Sequence, residues 1–186
     1  MSYLDKDYSF LGVEGLTGNT QVQVFNNCSS RVHYTLDEPR ITRDFNQIGQ
    51  MIVVSFEELY ALNNAPGGRS LITQFLRIPD KNIRKALNLP TDVEYTYDEA
   101  DIEKLIKEGT REQLEDAVEF GPYGMKEIMR KKAVDLKIDS SSRKELIGEV
   151  LGIDLDLIYD NEADEEEVQG AKKTSGRRAA PIKKAE

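Results

Sequence analysis

The sequence predicts an α+β protein, with a small antiparallel sheet in the N-terminal half, a bundle of short helices in the C-terminal half, and a disordered charged tail. Three observations predict it. Between residues 21 and 54, Val22 and Val24 and then Val32, Tyr34 and Leu36 alternate with polar residues, the period of half-buried strands. From Asp98 onward, apolar residues fall at helical spacing behind Asp, Thr and Ser caps. Across residues 160–186 only Val168 and Ile182 are large and apolar, too little to offset the entropy of ordering that stretch.

Residues 1–19 read as an arm. It holds Tyr3, Leu4, Tyr8, Phe10, Leu11, Val13 and Leu16, too apolar for a purely solvated leader. Such an arm packs on its own domain or docks on a neighbouring subunit. Residues 20–97 form the β-rich region. Asn26-Asn27-Cys28-Ser29-Ser30 supplies the turn between the first two strands, and Pro39 breaks the run. Ile41–Phe45 and Met51–Val54 are the next strands, making one sheet of three or four. Ser55-Phe56-Glu57-Glu58 is a capping box that opens a helix, and Pro66-Gly67-Gly68 ends it. Leu71, Ile72, Phe75, Leu76 and Ile78 suit a helix or a buried strand equally. Asp80 caps a short helix that Pro90 ends, and Val93–Tyr97 reads as one more strand.

Residues 98–159 form the helical region. Asp98 caps a helix carrying Ile102, Leu105 and Ile106, with Gly109 at its stop. Thr110-Arg111-Glu112-Gln113 is a second capping box, ahead of Leu114, Ala117 and Val118. Gly121-Pro122 begins a helix striped by Met125, Ile128, Met129, Ala133 and Leu136. Ser142-Arg143-Lys144-Glu145 is a third box, and Gly152 suits the stop of its helix. Ile153, Leu155 and Leu157 alternate with acids and read as an extended exit. Residues 160–186 are the tail. It is acidic first (Asp160, Glu162, Asp164, Glu165, Glu166, Glu167) and then basic (Lys172, Lys173, Arg177, Arg178, Lys183, Lys184).

The chain has 186 residues and a formal net charge of −9, which weakens non-specific attraction to nucleic acid and anionic membrane. The surplus is uneven. Residues 98–159 hold 10 basic and 16 acidic residues, the reverse of the asymmetry expected of a nucleic-acid reader. Cys28 and His33 are the single cysteine and histidine, so an internal disulfide is impossible and a reducing compartment suits the chain. Met1–Phe10 shows no secretory signal, and Met51–Val54 is too short to span a bilayer.

Motifs that carry chemistry are scarce. Cys28 and His33 stand across one turn, but a metal site needs more ligands. His33 alternates with Val32 and Tyr34, which puts it on the solvated side of a strand. Pro66-Gly67-Gly68-Arg69-Ser70 has the glycines of a phosphate loop without its Gly-Lys-Ser/Thr ending. Helices over 110–118, 122–136 and 142–151 imitate a helix-turn-helix, with Lys126, Arg130, Lys131, Lys132 and Lys137 as its basic stretch. A solvated, locally paired helix face accounts for those cations equally. No catalytic residue, cofactor or metal is expected. The candidate partner-binding residues are Tyr3, Tyr8 and Phe10 in the arm, and Lys172, Lys173, Arg177, Arg178, Lys183 and Lys184 in the tail.

Arg43-Asp44-Phe45, Phe56-Glu57-Glu58-Leu59, Pro66-Gly67-Gly68, Leu105-Ile106-Lys107-Glu108-Gly109-Thr110 and Ala117-Val118-Glu119-Phe120-Gly121-Pro122-Tyr123-Gly124 resemble segments of small proteins encoded by tailed bacteriophages. The resemblance covers roughly residues 20–157 and carries over no functional residue. It implies a non-enzymatic virion structural or accessory protein, acting through protein–protein contacts in capsid or tail assembly. Its partners would be other virion components or copies of itself, in the particle or the bacterial cytoplasm, with no membrane and at most weak nucleic-acid contact through the tail. The alternative expectation is a small acidic regulatory protein that binds a host or phage enzyme or polymerase.

Overall fold

The computed structural model describes residues 6–38 and 40–161. It is an α+β protein with antiparallel strands in its N-terminal half and helices in its C-terminal half. The strands are β1 (Gln21–Asn26), β2 (Val32–Leu36), β3 (Ile41–Phe45), β4 (Met51–Ser55) and β5 (Leu76–Arg77). The helices are α1 (Phe56–Asn64), α2 (Gly68–Phe75), α3 (Lys81–Ala86), α4 (Glu99–Glu108), α5 (Arg111–Phe120), α6 (Tyr123–Asp135) and α7 (Ser141–Leu151), followed by a last helix over residues 155–161. None of the described helices is long and apolar enough to cross a membrane.

The strands do not form one sheet. β1 is the centre of a three-stranded sheet in the order β4-β1-β5, with Val22 opposite Val54 and Asn26 opposite Leu76. β2 and β3 pair separately, with Tyr34 opposite Arg43. The loop after β1 is the cause. The Asn26 amide donates to the Ser30 carbonyl (3.2 Å) and the Gln47 carbonyl (3.0 Å) and accepts from the Cys28 N–H (3.1 Å). That knot spends the residues a tight hairpin needs and turns β2 out of the sheet. Segment 71–78, readable either way, is both: helix through Phe75, then two strand residues.

Four other expectations are corrected. Val93–Thr96 is a 3-10 turn and not a strand, and it closes on itself through Tyr95 N–H to the Asp92 carbonyl (3.3 Å). The alternation at Ile153-Leu155-Leu157 is not an extended exit. Asp154 caps the last helix by accepting from the Leu157 N–H (3.0 Å), and Leu155 and Tyr159 then share a face at i, i+4 spacing. The box at Ser142–Glu145 does not form, because α7 begins two residues earlier behind Ser140, which makes no side-chain cap. The boxes Asp98/Asp101 and Thr110/Gln113 are reciprocal. Ser55 caps α1 by accepting from the Glu58 N–H (3.2 Å), while the Glu58 carboxylate turns elsewhere.

Buried side chains gather in two clusters, one from Tyr8 to Leu89 around the sheet and one from Ile102 to Leu155 among the helices. Within the first, Glu58 is only 1% exposed, yet it is fully partnered. Tyr34 donates to its Oε1 (2.6 Å), and Arg43 donates to Oε1 (2.8 Å) and Oε2 (2.7 Å). This bidentate pair, with the phenol as a third donor, fastens the β2–β3 ribbon to α1. Within the second cluster, Arg143 of α7 donates to the carbonyls of Leu105 (2.8 Å), Ile106 (2.7 Å) and Gly109 (2.6 Å), closing the last turn of α4.

Candidate functional site

The two halves meet where the start of α6 lies on the β1–β2 loop and on α2. Gly124 makes this possible. A Cβ there would stand 2.1 Å from the Asn27 carbonyl oxygen and 2.9 Å from that of Gln74. Around this contact, Tyr123 N–H donates to Gln74 Oε1 (3.0 Å) and Asn27 N–H to the Phe75 carbonyl (2.8 Å). The Tyr123 ring meets Phe75 edge-on at 5.7 Å. One turn along α6, Glu127 Oε2 accepts from Cys28 Sγ (2.9 Å) and Ser29 Oγ (3.1 Å).

Beside these contacts is a cleft of about 260 Å³, lined by Cys28, Ser30, Arg31, Val32, His33, Leu71, Phe75 and Glu127. It brings Cys28 and His33 to one place and adds a carboxylate from a hundred residues on. Its chemistry is quiet. Burial first, and then the hydrogen bond to Glu127, push the Cys28 thiol up to about 11, so it is a protonated donor at neutral pH and a poor nucleophile. His33 Nδ1 lies 2.9 Å from Asp44 Oδ1, and Arg31 Nε donates to the same oxygen at 2.9 Å. Arg31 and then His33 hold the Asp44 carboxyl below its usual range. Among the described residues, no group of three or more His, Cys, Asp or Glu side chains is placed to hold a metal.

What the region offers is apolar surface on a rigid frame. Phe120 and Tyr123, either side of the Gly121–Pro122 corner, are 62% and 51% exposed, and Tyr123 continues through Phe75 to Leu71 and the cleft. Phe10, 71% exposed, stands on the arm far from this corner in sequence.

The arm candidates divide. Tyr8 is fully buried, 5.1 Å from Phe56 and 4.9 Å from Tyr60 by ring centroids, with its hydroxyl donating to Glu57. Asp7 bridges Thr17, and Leu16 is buried, so residues 6–19 pack on their own body. Tyr8 is therefore closed to any partner, whereas Phe10 is exposed. Tyr3, Lys172, Lys173, Arg177, Arg178, Lys183 and Lys184 lie outside the described residues.

Several of the other sequence candidates are engaged locally. Arg69 of the glycine-rich turn donates to the Leu87 carbonyl (3.2 Å) and to that of Asn88, bracing the end of α3. In the basic stretch of α6, Lys131 pairs with Asp135 (3.1 Å) and Lys132 with Glu99 (2.5 Å), while Arg130 Nε donates to the Leu151 carbonyl (3.4 Å). Sequence reasoning missed Glu127, Phe75 and Tyr123. Tyr123 and Glu127 share one face of α6 at i, i+4, a spacing the sequence displays, but their partners lie on distant segments. Neither a protein-family model, nor a curated protein, nor a solved structure matches this chain.

Proposed function

We propose that this chain is a non-enzymatic structural or accessory component of a tailed-bacteriophage particle, assembling through protein–protein contacts. The observation that carries the contact role is the aromatic corner. Tyr123 stays more than half exposed against Phe75, with exposed Phe120 across the Gly121–Pro122 corner, on backbone pinned by Gly124 and by three hydrogen bonds between the halves. Scattered apolar side chains are ordinary on a protein surface, but a connected strip on a fixed frame is what a partner's core residues need. Phe10 on the arm and the basic residues of 172–184 are further contact elements in this reading. The particle itself rests on the sequence resemblance to small phage proteins.

Quantitative mass spectrometry of purified particles beside the soluble lysate tests the assignment. A fixed, many-copy stoichiometry in the particle is expected. Recovery from the soluble fraction alone would sink it and bring forward a small acidic regulator of an enzyme or polymerase. The acid surplus of residues 98–159 favours that second reading. A regulator docking by that surface would release its partner steeply with salt.

A further inference from the structure

β4 lies at the end of its sheet, in the order β4-β1-β5, so one of its edges has no neighbouring strand among the described residues. The ladder fixes which groups that edge presents. Asn26 N–H donates to the Gln50 carbonyl (2.9 Å), Phe56 N–H donates to the Thr20 carbonyl (2.8 Å), and Val24 stands opposite Ile52. Positions 50, 52, 54 and 56 therefore face β1, and Met51 and Val53 turn their N–H and C=O groups outward. Among the described residues no hydrogen bond meets those outward groups. Met51 and Val53 are also 45% and 44% exposed, with their side chains on one face of the sheet.

Open edges are ordinarily guarded by a charge or a proline, and β4 carries neither. Residues 15–30 and 45–56, which hold β1, β4 and their flanking turns, contain no Asp, Glu, Lys, Arg or His, in a chain that is 32% charged. The carboxylates that border the edge are engaged. Glu99, which reaches the Gly49 turn, pairs with Lys132 (2.5 Å), and Glu57 accepts from the Tyr8 hydroxyl. Copies of a molecule with net charge −9 repel one another, and they repel least where both faces are neutral.

We propose that β4 pairs with β4 of a second copy of this chain, antiparallel, about a two-fold axis at Ile52. Met51 then stands opposite the second copy's Val53, and Val53 opposite the second copy's Met51. These two pairs exchange four hydrogen bonds, all made by groups that are free in the single chain. An axis one residue along, at Val53, needs the Ser55 carbonyl, which already opens α1 as its N-cap. The free groups thus select the register. The side chains agree with it. Met51 lies beside the second copy's Val53 on the outer face. On the inner face the two Ile52 side chains meet across the axis, and Ile52 is half-buried against the core of the sheet. The pair joins both sheets into one of six strands and closes on itself, as a two-fold contact must. A five-residue edge buries less than the roughly 800 Å² per partner of a standard interface, so the contact is weak and forms as copies are crowded together.

Sedimentation equilibrium of the full chain between about 10 μM and about 1 mM tests this. A monomer–dimer equilibrium is expected. It should strengthen with salt, which screens the repulsion between two chains of charge −9. Amide exchange resolved by NMR on the same samples locates the contact. The amides of Met51 and Val53 should slow several-fold as concentration rises. Those of Ile52 and Val54, which already face β1, should not, nor should that of Gln23, on the far side of β1 beyond the residues that β5 pairs. Val53→Lys, at an exposed outer position, should leave the circular dichroism unchanged and weaken the dimer about tenfold or more. A chain that stays monomeric throughout would overturn the proposal, as would a dimer that leaves Met51 and Val53 unslowed or forms equally well in Val53→Lys. Slowing at Gln23 would overturn it too, because pairing would then be head-to-tail and open-ended. Failure here leaves the particle assignment standing, because stoichiometry in purified particles is a separate readout.

Discussion

Arg84 is buried and Arg143 half-buried, with opposite consequences. Arg143 finds three helix-end carbonyls at hydrogen-bonding distance and becomes the cap that α4 lacks. Arg143→Ala removes all three bonds at once and should cost about 2 kcal/mol in urea unfolding. Arg143→Lys should recover little of it, since an ammonium cannot fork to three acceptors in a plane. Arg84 is 3% exposed, and its guanidinium nitrogens have no acceptor among the described residues. A buried cation without a partner opposes folding, so Arg84→Met, similar in length and free of charge, should raise stability by about 1–3 kcal/mol. A fall in the urea midpoint of that variant would mean the guanidinium has an acceptor after all.

At the scale of elements, the joint between α6, the β1–β2 loop and α2 is tightly constrained. The backbone of Gly124 approaches two carbonyls more closely than any side chain permits. Gly124→Ala must push α6 off the β1–β2 loop and α2, and a loss of about 2–3 kcal/mol is expected from thermal melts. It should also loosen the Cys28–Glu127 and Ser29–Glu127 bonds one turn on, which faster labelling of Cys28 by a disulfide reagent would report.

Which elements the sequence makes legible follows from distance along the chain. The caps at Ser55, Asp98 and Thr110 are visible because donor and acceptor sit within three residues. Misreadings occur where a local pattern meets a distant claim. Glu58 fails to complete its box because Tyr34 and Arg43 hold its carboxylate, and β2 leaves the sheet because Asn26 reaches Gln47. Nothing near Glu127 in sequence foretells that a thiol 99 residues away will donate to it. The candidate site was illegible for that reason. Phe75, Tyr123 and Glu127 look like ordinary helix positions until the two halves are brought together.

For the whole molecule, pH ties the surface to the core. Tyr34 and Tyr8 are both held well above the ordinary tyrosine range, first by burial and then by the carboxylates that accept their protons. Cys28 is raised from 9.0 to about 11. All three are neutral when protonated, and the native state binds those protons more tightly than the unfolded chain does. Their contribution is therefore complete below the ordinary value of each group and is lost as pH rises toward the folded one. Urea midpoints should stay flat from neutrality to about pH 9 and then fall steadily. Tyr34→Phe should start lower and fall less steeply, and an unchanged slope would refute the buried phenol as a cause.

The placing of β1 at the centre of its sheet has a consequence for synthesis. Translation delivers the middle strand first, the β4 neighbour next and the short β5 neighbour last, with a whole ribbon and two helices made in between. Until β5 emerges, the Phe25–Asn26 end of that edge of β1 stands open on a nascent chain. Such an edge invites pairing with the same strand of the next polypeptide on a polysome. Gln21 and Gln23 on its outer face, and the knot of Asn26 that bends the chain away at its end, are the guards this strand carries through that interval.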